Sequence, residues 1–333
     1  IQISFNWIFV LIVGGVFLVF FFSLIGSTSS TAERELRGVI AAKFETILDI
    51  ALADPGTFKT HKSSLTEIAF TCNTQESTYF YEIEGEQAQQ IKPDIIFSPQ
   101  AMKTDTFYTW TQAWNMPYDS ANFLYVSASD HAFIFINTSS SLMEAFAATF
   151  PDNLTTYEMD RENIPRRLNY DHYTYILFSE QLPSLSGLLS EELFVDENNV
   201  HILLIRPAEP SLPYAYGDVF FFEPNELPGI FATIEGELDL RANYAAPYLG
   251  KASLQAAVFS DNPDYYACTM DKALDRLQIM TMLNYYRVKR EIDMVSTNSN
   301  CQLVLDGLEP IQGLDEVLHD FNETLASIHY DTA

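Results

Sequence analysis

From Ile1 to Ile25 the chain reads IQISFNWIFVLIVGGVFLVFFFSLI, without one charged side chain. As a helix rising ~1.5 Å per residue, this run would cover roughly 37 Å, more than the roughly 30 Å hydrocarbon core of a bilayer. A helix on the surface of a water-soluble protein keeps a polar face, and this run has none. The sequence therefore predicts a transmembrane or filament-core helix over 1–25. Phe5, Phe9, Phe17, Phe20, Phe21 and Phe22 give it bulk, and Gly14-Gly15 gives it one point of close backbone approach.

The chain of 333 residues, 47% hydrophobic over its whole length, is long and apolar enough to bury a core. Its 45 Asp+Glu against 18 Lys+Arg leave a net charge of -27. That charge repels phosphate backbones, which excludes nucleic acid as a partner. No basic cluster flanks the apolar run, and the acidic bulk lies wholly on its C-terminal side, so the large domain is expected to face outward. Such a surface is solvated and self-repelling, and names no ligand.

Gly26, Ser27 and Thr28 open a weakly helix-forming stretch, read as a hinge or as a plain juxtamembrane linker. Ser30 and Glu33 then have the spacing of a capping box. Leu36, Val39, Ile40, Phe44, Ile47, Leu48 and Ala51 recur three and four apart on one helix face, which is expected to pack on the ectodomain. Asp54-Pro55-Gly56 ends this second, amphipathic half.

The apolar run stands directly at the front of the chain, ahead of any basic segment, whereas an ordinary secretory signal loses its apolar stretch on cleavage. Removal of a short leader before Ile1 is expected, with an uncleaved signal anchor as the alternative. Gln2-Ile3-Ser4 followed by an aromatic-rich apolar helix, joined to an amphipathic half, resembles the mature start of archaeal type IV pilin-like proteins over about the first 54 residues. The resemblance implies a homo-oligomeric helical filament whose core is built from Ile1, Gln2, Ser4, Phe5, Asn6, Trp7, Gly14, Gly15, Phe17 and Phe21. It also implies a membrane-held subunit before assembly, a prepilin peptidase, an assembly ATPase and a platform protein. Pilins carry a glutamate where this chain has Phe5, so Gln2, Ser4 and Asn6 would have to accept hydrogen bonds from the terminal ammonium.

Between about 57 and 240, short apolar runs rich in β-branched and aromatic residues alternate with turn signals. They predict strands at 67–71, 79–83, 95–98, 123–128, 132–137, 155–159, 173–179, 200–206, 218–223 and 229–234, with a hairpin around Ser129-Asp130 and a helix over 142–150. Near-continuous apolar strands such as YTYILFS and HILLIRP point to a partly parallel sheet covered by helices. From 241 to 333 a mainly helical section is expected to pack on this domain. It holds a strand or helix at 252–260, a largely buried helix over 268–294, and a final amphipathic helix marked by Leu314, Val317, Leu318, Phe321, Leu325 and Ile328. The fold class read from the sequence is α+β: a long N-terminal apolar and amphipathic helix, a mixed α/β sheet domain, and C-terminal helices.

Three cysteines carry no C-x-x-C spacing, so a structural metal is not expected. A helix over roughly 269–294 is about 38 Å long, while the residues leading on to Cys301 can return only about 20 Å. Cys268 and Cys301 are thus kept apart, and Cys72 is the expected partner of one of them if the domain lies in an oxidising compartment. Asn137, Asn153 and Asn322 each begin an acceptor sequon for N-glycosylation, Asn153 beside the Pro151-Asp152 turn being the best placed.

No nucleophile elbow, H-E-x-x-H, Walker loop or dinucleotide fingerprint is present. The six histidines stand singly in the sequence. The oxygen-rich turns at 196–199 and 261–264 lack the glycine and terminal glutamate of a calcium loop. No catalytic residue, cofactor or metal is expected. The sequence points first to a structural subunit of an extracellular filament, and second to a single-pass anchored ectodomain that binds a partner without assembling.

Overall fold

The computed structural model describes residues 13–19, 38–73, 78–83, 89–90, 95–116, 119–137, 141–160, 170, 172–178, 200–208, 215–222 and 245–295. The chain divides into two compact units, Ile1–Ile50 and Ala51–Ala333. In the first unit, residues 13–19 form a short helix (α1), and a second helix (α2) occupies 38–52, running just past the unit boundary. Along α2, Ala41, Phe44 and Leu48 are buried at three-and-four spacing, while Val39 is exposed. The hinge residues Gly26, Ser27 and Thr28 lie outside the described residues.

About half of the described residues lie in strands, which form two six-stranded sheets. Twelve strands contribute: β1 Phe58–Asn73, β2 Thr78–Ile83, β3 Gln89–Gln90, β4 Ile95–Phe97, β5 Ala101–Asn115, β6 Asp119–Ala128, β7 His131–Asn137, β8 Thr156–Asp160, β9 His172–Phe178, β10 Val200–Pro207, β11 Tyr216–Phe222 and β12 Ala245–Leu249. Three helices accompany them: α3 Ser141–Ala147, α4 Gly250–Phe259 and α5 Pro263–Val295. The first sheet runs β3-β2-β1-β5-β6-β4, antiparallel except for the β4–β6 pair. The second runs β12-β11-β10-β9-β7-β8, with β8, β7, β9 and β10 parallel and the β10–β11 and β11–β12 pairs antiparallel.

This architecture corrects the fold expected from the sequence. The described part of the apolar run is helical over only seven residues, and among the described residues no helix is long and apolar enough to cross a membrane. In place of one mixed sheet behind a long helix stand two sheets. The reason for the second sheet is visible at Ser129-Asp130, where a hairpin between β6 and β7 is expected. The Ser129 amide donates to the Thr106 carbonyl and the His172 amide to the Asp130 carbonyl. Each strand is thereby claimed by a different neighbour, β6 by β5 and β7 by β9, and the chain turns a corner from one sheet into the other.

The core explains why the sheets stay together. Trp110, Trp114, Phe123 and Tyr125 of the first sheet and Phe133, Ile176, Leu203 and Phe221 of the second belong to one buried cluster, together with most of α4. Nine of the ten α4 residues are buried, and the helix touches strands of both sheets. In GKASLQAAVF the one charged residue, Lys251, is the one left exposed, and the buried polar side chains find partners: Ser253 Oγ donates to the Gly250 carbonyl and Gln255 Nε2 to Thr149 Oγ1. The first sheet serves the carbonyls at the start of the helix: the Trp114 indole donates to the Leu249 carbonyl at 2.7 Å and the Tyr125 hydroxyl to the Ala252 carbonyl at 2.9 Å. Gly250 enters the helix at φ +83°, and a Cβ there would stand 2.9 Å from Met116 Cγ, so glycine satisfies two demands at once. β12 and α4 thus belong to the same core as β4–β7 and β9–β11.

Two long-range ties lie within the second unit. Thr111 Oγ1 on β5 donates to the Ala51 carbonyl at 2.8 Å. Cys72, near the end of β1, is disulfide-bonded to Cys268 on α5, with Cα atoms 6.3 Å apart and a sequence separation of 196. Cys301 and the final amphipathic segment lie outside the described residues.

Candidate functional site

Among the described residues, three histidines gather at the corner between the sheets. β7, β9 and β10 are parallel and begin at a common edge, and in their register His131 stands beside His172 while His201 stands beside Thr174. Partners in register share a face, and the period of two puts Thr174 on the same face as His172. All three imidazoles therefore belong to one face of the second sheet, on the same side as Phe133, Ile176 and Leu203.

His131 is 3% exposed and stacks on Phe133 at 4.4 Å, with the His172 ring 6.0 Å away. Its Nδ1 lies 3.3 Å from Ser127 Oγ across the corner on β6, and its Nε2 lies 2.8 Å from Thr174 Oγ1. Burial, reinforced by the like charges His172 and His201 would carry, holds its pKa well below the ordinary histidine value. His131 is therefore a neutral ring, held by two hydroxyls.

His201 is pushed down to about 4, first by burial and then by His172. The Asp261 carboxylate 3.8 Å from its Nε2 would raise the value, but at that distance it does not offset burial. At neutral pH the contact is one of carboxylate with neutral ring. Asp261 follows α4 and also accepts from the Gln100 amide at 2.7 Å, so it clasps the β4–β5 turn to the start of the parallel strands. Nearby, the Tyr157 and Tyr170 hydroxyls share a 2.7 Å hydrogen bond, and Tyr173 Oη accepts from the Tyr170 amide at 2.9 Å.

The chemistry open to this cluster is narrow. Ser127 and His131 have the residue types of a nucleophile and base, but the second ring nitrogen meets a hydroxyl where an orienting carboxylate is needed, and Ser127 is fully buried. Among the described residues no group of three or more His, Cys, Asp or Glu side chains could hold a metal ion. The arrangement is a polar clamp on the corner. Sequence reasoning missed it because His131, His172 and His201 are 41 and 29 residues apart, at the heads of strands whose pairing alone unites them. The available signal was positional: each opens an apolar run, in DHAFIFI, DHYTYILF and VHILLI.

Of the residues proposed for assembly, Gly14, Gly15 and Phe17 are described and lie on α1. Phe17 is 59% exposed, and a Cβ on either glycine would meet nothing within 4 Å. Ile1, Gln2, Ser4, Phe5, Asn6, Trp7 and Phe21 lie outside the described residues. Asn153 is exposed in the turn after α3, and Asn137 closes β7 in register with Asp160. Asn322 lies outside the described residues.

Comparison with known proteins returned no matching family model, no matching curated protein and no matching solved structure.

Proposed function

We propose that this protein is a non-catalytic structural subunit of an extracellular, type IV pilus-like filament. Its apolar N-terminal segments gather in the core, and its acidic double-sheet domains face outward. The observation that carries the reading is on α1: Val16, Phe17, Leu18 and Val19 are all more than half exposed, in a 25-residue stretch with no charge. So much apolar surface has to be covered by lipid or by other copies. The Cys72–Cys268 disulfide suits an oxidising compartment, and the net charge of -27 suits an exposed, solvated sheath. Before assembly the same apolar segment holds the subunit in the membrane. The resemblance of the first residues to pilins supplies the expectation of a peptidase, a motor ATPase and a platform protein.

A second reading is favoured by Phe5, which stands where pilins place the glutamate that pairs with a neighbour's terminal amine: a single-pass anchored ectodomain that binds a partner without forming filaments. Imaging purified surface appendages, with mass spectrometry of the N-terminus, separates the two. Ile1 as a trimmed terminus within a filament supports assembly, and a retained leader on a membrane-embedded chain refutes it.

A further inference from the structure

The first half of α5 is core, with Tyr265, Tyr266, Met270, Leu274 and Leu277 buried. Beyond Thr281 the helix leaves the core yet stays apolar on one side. Ile279, Met282, Leu283 and Tyr286 are 46–63% exposed and recur at three-and-four spacing. Arg276 and Arg290 continue the same stripe at its two ends, and Arg287 flanks it. From 276 to 290 there are four basic residues and no acidic one, in a chain that has only 18 Lys+Arg. An apolar stripe bracketed by positive charge calls for a partner with an apolar stripe and negative charge.

The remainder of the chain has that character. Residues 296–333 contain seven acidic residues and no Lys or Arg, and Leu314, Val317, Leu318, Phe321, Leu325 and Ile328 have helical spacing with Asp315 and Asp320 to either side. We propose that the segment 314–328 docks as an antiparallel amphipathic helix on the Ile279–Tyr286 stripe of its own chain. The reach is sufficient: the stripe lies roughly 13–24 Å back along α5 from Val295, and the eighteen residues 296–313 can span more than that. Tethering holds the segment at an effective concentration of millimolar order. A second copy would bring a further charge of -27 with it, and an anionic bilayer would repel the same domain. The inference is independent of filament formation.

The test places a photo-crosslinking benzoylphenylalanine at position 283 of the full chain in detergent micelles, with unlabelled and 15N-labelled chains mixed. Links from position 283 to peptides within 314–328, each joining partners of one isotopic form, are expected. Leu318→Asp with Phe321→Asp should cut their yield by about tenfold, equivalent to about 1.4 kcal/mol, while the Cys72–Cys268 bridge and the far-UV circular dichroism stay unchanged. Links that join labelled to unlabelled chains would transfer the surface to a second copy and overturn the proposal. Links to detergent, to other segments, or of unaltered yield in the double variant would overturn it as well.

Discussion

Burial gives the corner histidines a direction of response to acid. His201 titrates near 4 in the folded chain against 6.5 when exposed, so the unfolded chain takes up its proton first as the pH falls. The stability this residue contributes is complete above about pH 6.5 and is lost between there and about pH 4, by a total of about 3 kcal/mol. His131, also lowered, acts in the same direction. Urea unfolding midpoints should therefore fall across this window, and His201→Gln should flatten the fall. Parallel pH profiles for the two proteins would show that His201 is not responsible. Phe259 is the other informative residue. Its ring lies 4.9 Å from Tyr125, 5.1 Å from Phe133, 6.0 Å from Trp110 and 6.1 Å from Phe150, joining α4 to both sheets. Phe259→Ala is expected to cost about 3–5 kcal/mol in chemical denaturation. At this scale the sequence was legible where chemistry is local: FLYVSA and HAFIFI announced themselves as strands. The histidine clamp was not, because what unites His131, His172 and His201 is strand pairing.

Among the elements, the disulfide has the largest expected effect. Cys72 and Cys268 close a loop of almost two hundred residues, and loop-closure entropy puts the contribution at about 2–5 kcal/mol. A Cys72→Ala, Cys268→Ala variant should lower the denaturant midpoint accordingly with an unchanged circular dichroism spectrum. Equal midpoints for variant and parent would remove the bridge from the account of stability. The α5 segment was readable from its long run of helix formers free of internal glycine and proline. β5 was not. Its stretch AMKTDTFYTWTQAWN alternates exposed and buried positions only in its first half and is interrupted by four threonines, so no apolar run marks it. The first half of β1 is likewise unmarked, since FKTHK pairs with β5 through backbone bonds despite a polar sequence. The Ser129-Asp130 turn carried the signature of a hairpin, and only the competing claims of β5 and β9 make it a corner.

For the whole molecule, one double-sheet unit with a buried central helix follows an N-terminal unit in which Val16, Phe17, Leu18 and Val19 of α1 are exposed. The acidic composition foretold a solvated exterior, but composition is silent on how many sheets lie beneath it. In the proposed filament, copies of this chain cover these residues of α1. The decisive measurement is sedimentation and negative-stain imaging of the full chain after gradual removal of detergent in the absence of lipid, beside a Phe17→Asp variant. Regular filaments are expected from the parent and none from the variant, with both retaining the disulfide-linked domain. Discrete monomers that stay dispersed only in detergent or vesicles, with parent and variant alike, would contradict it.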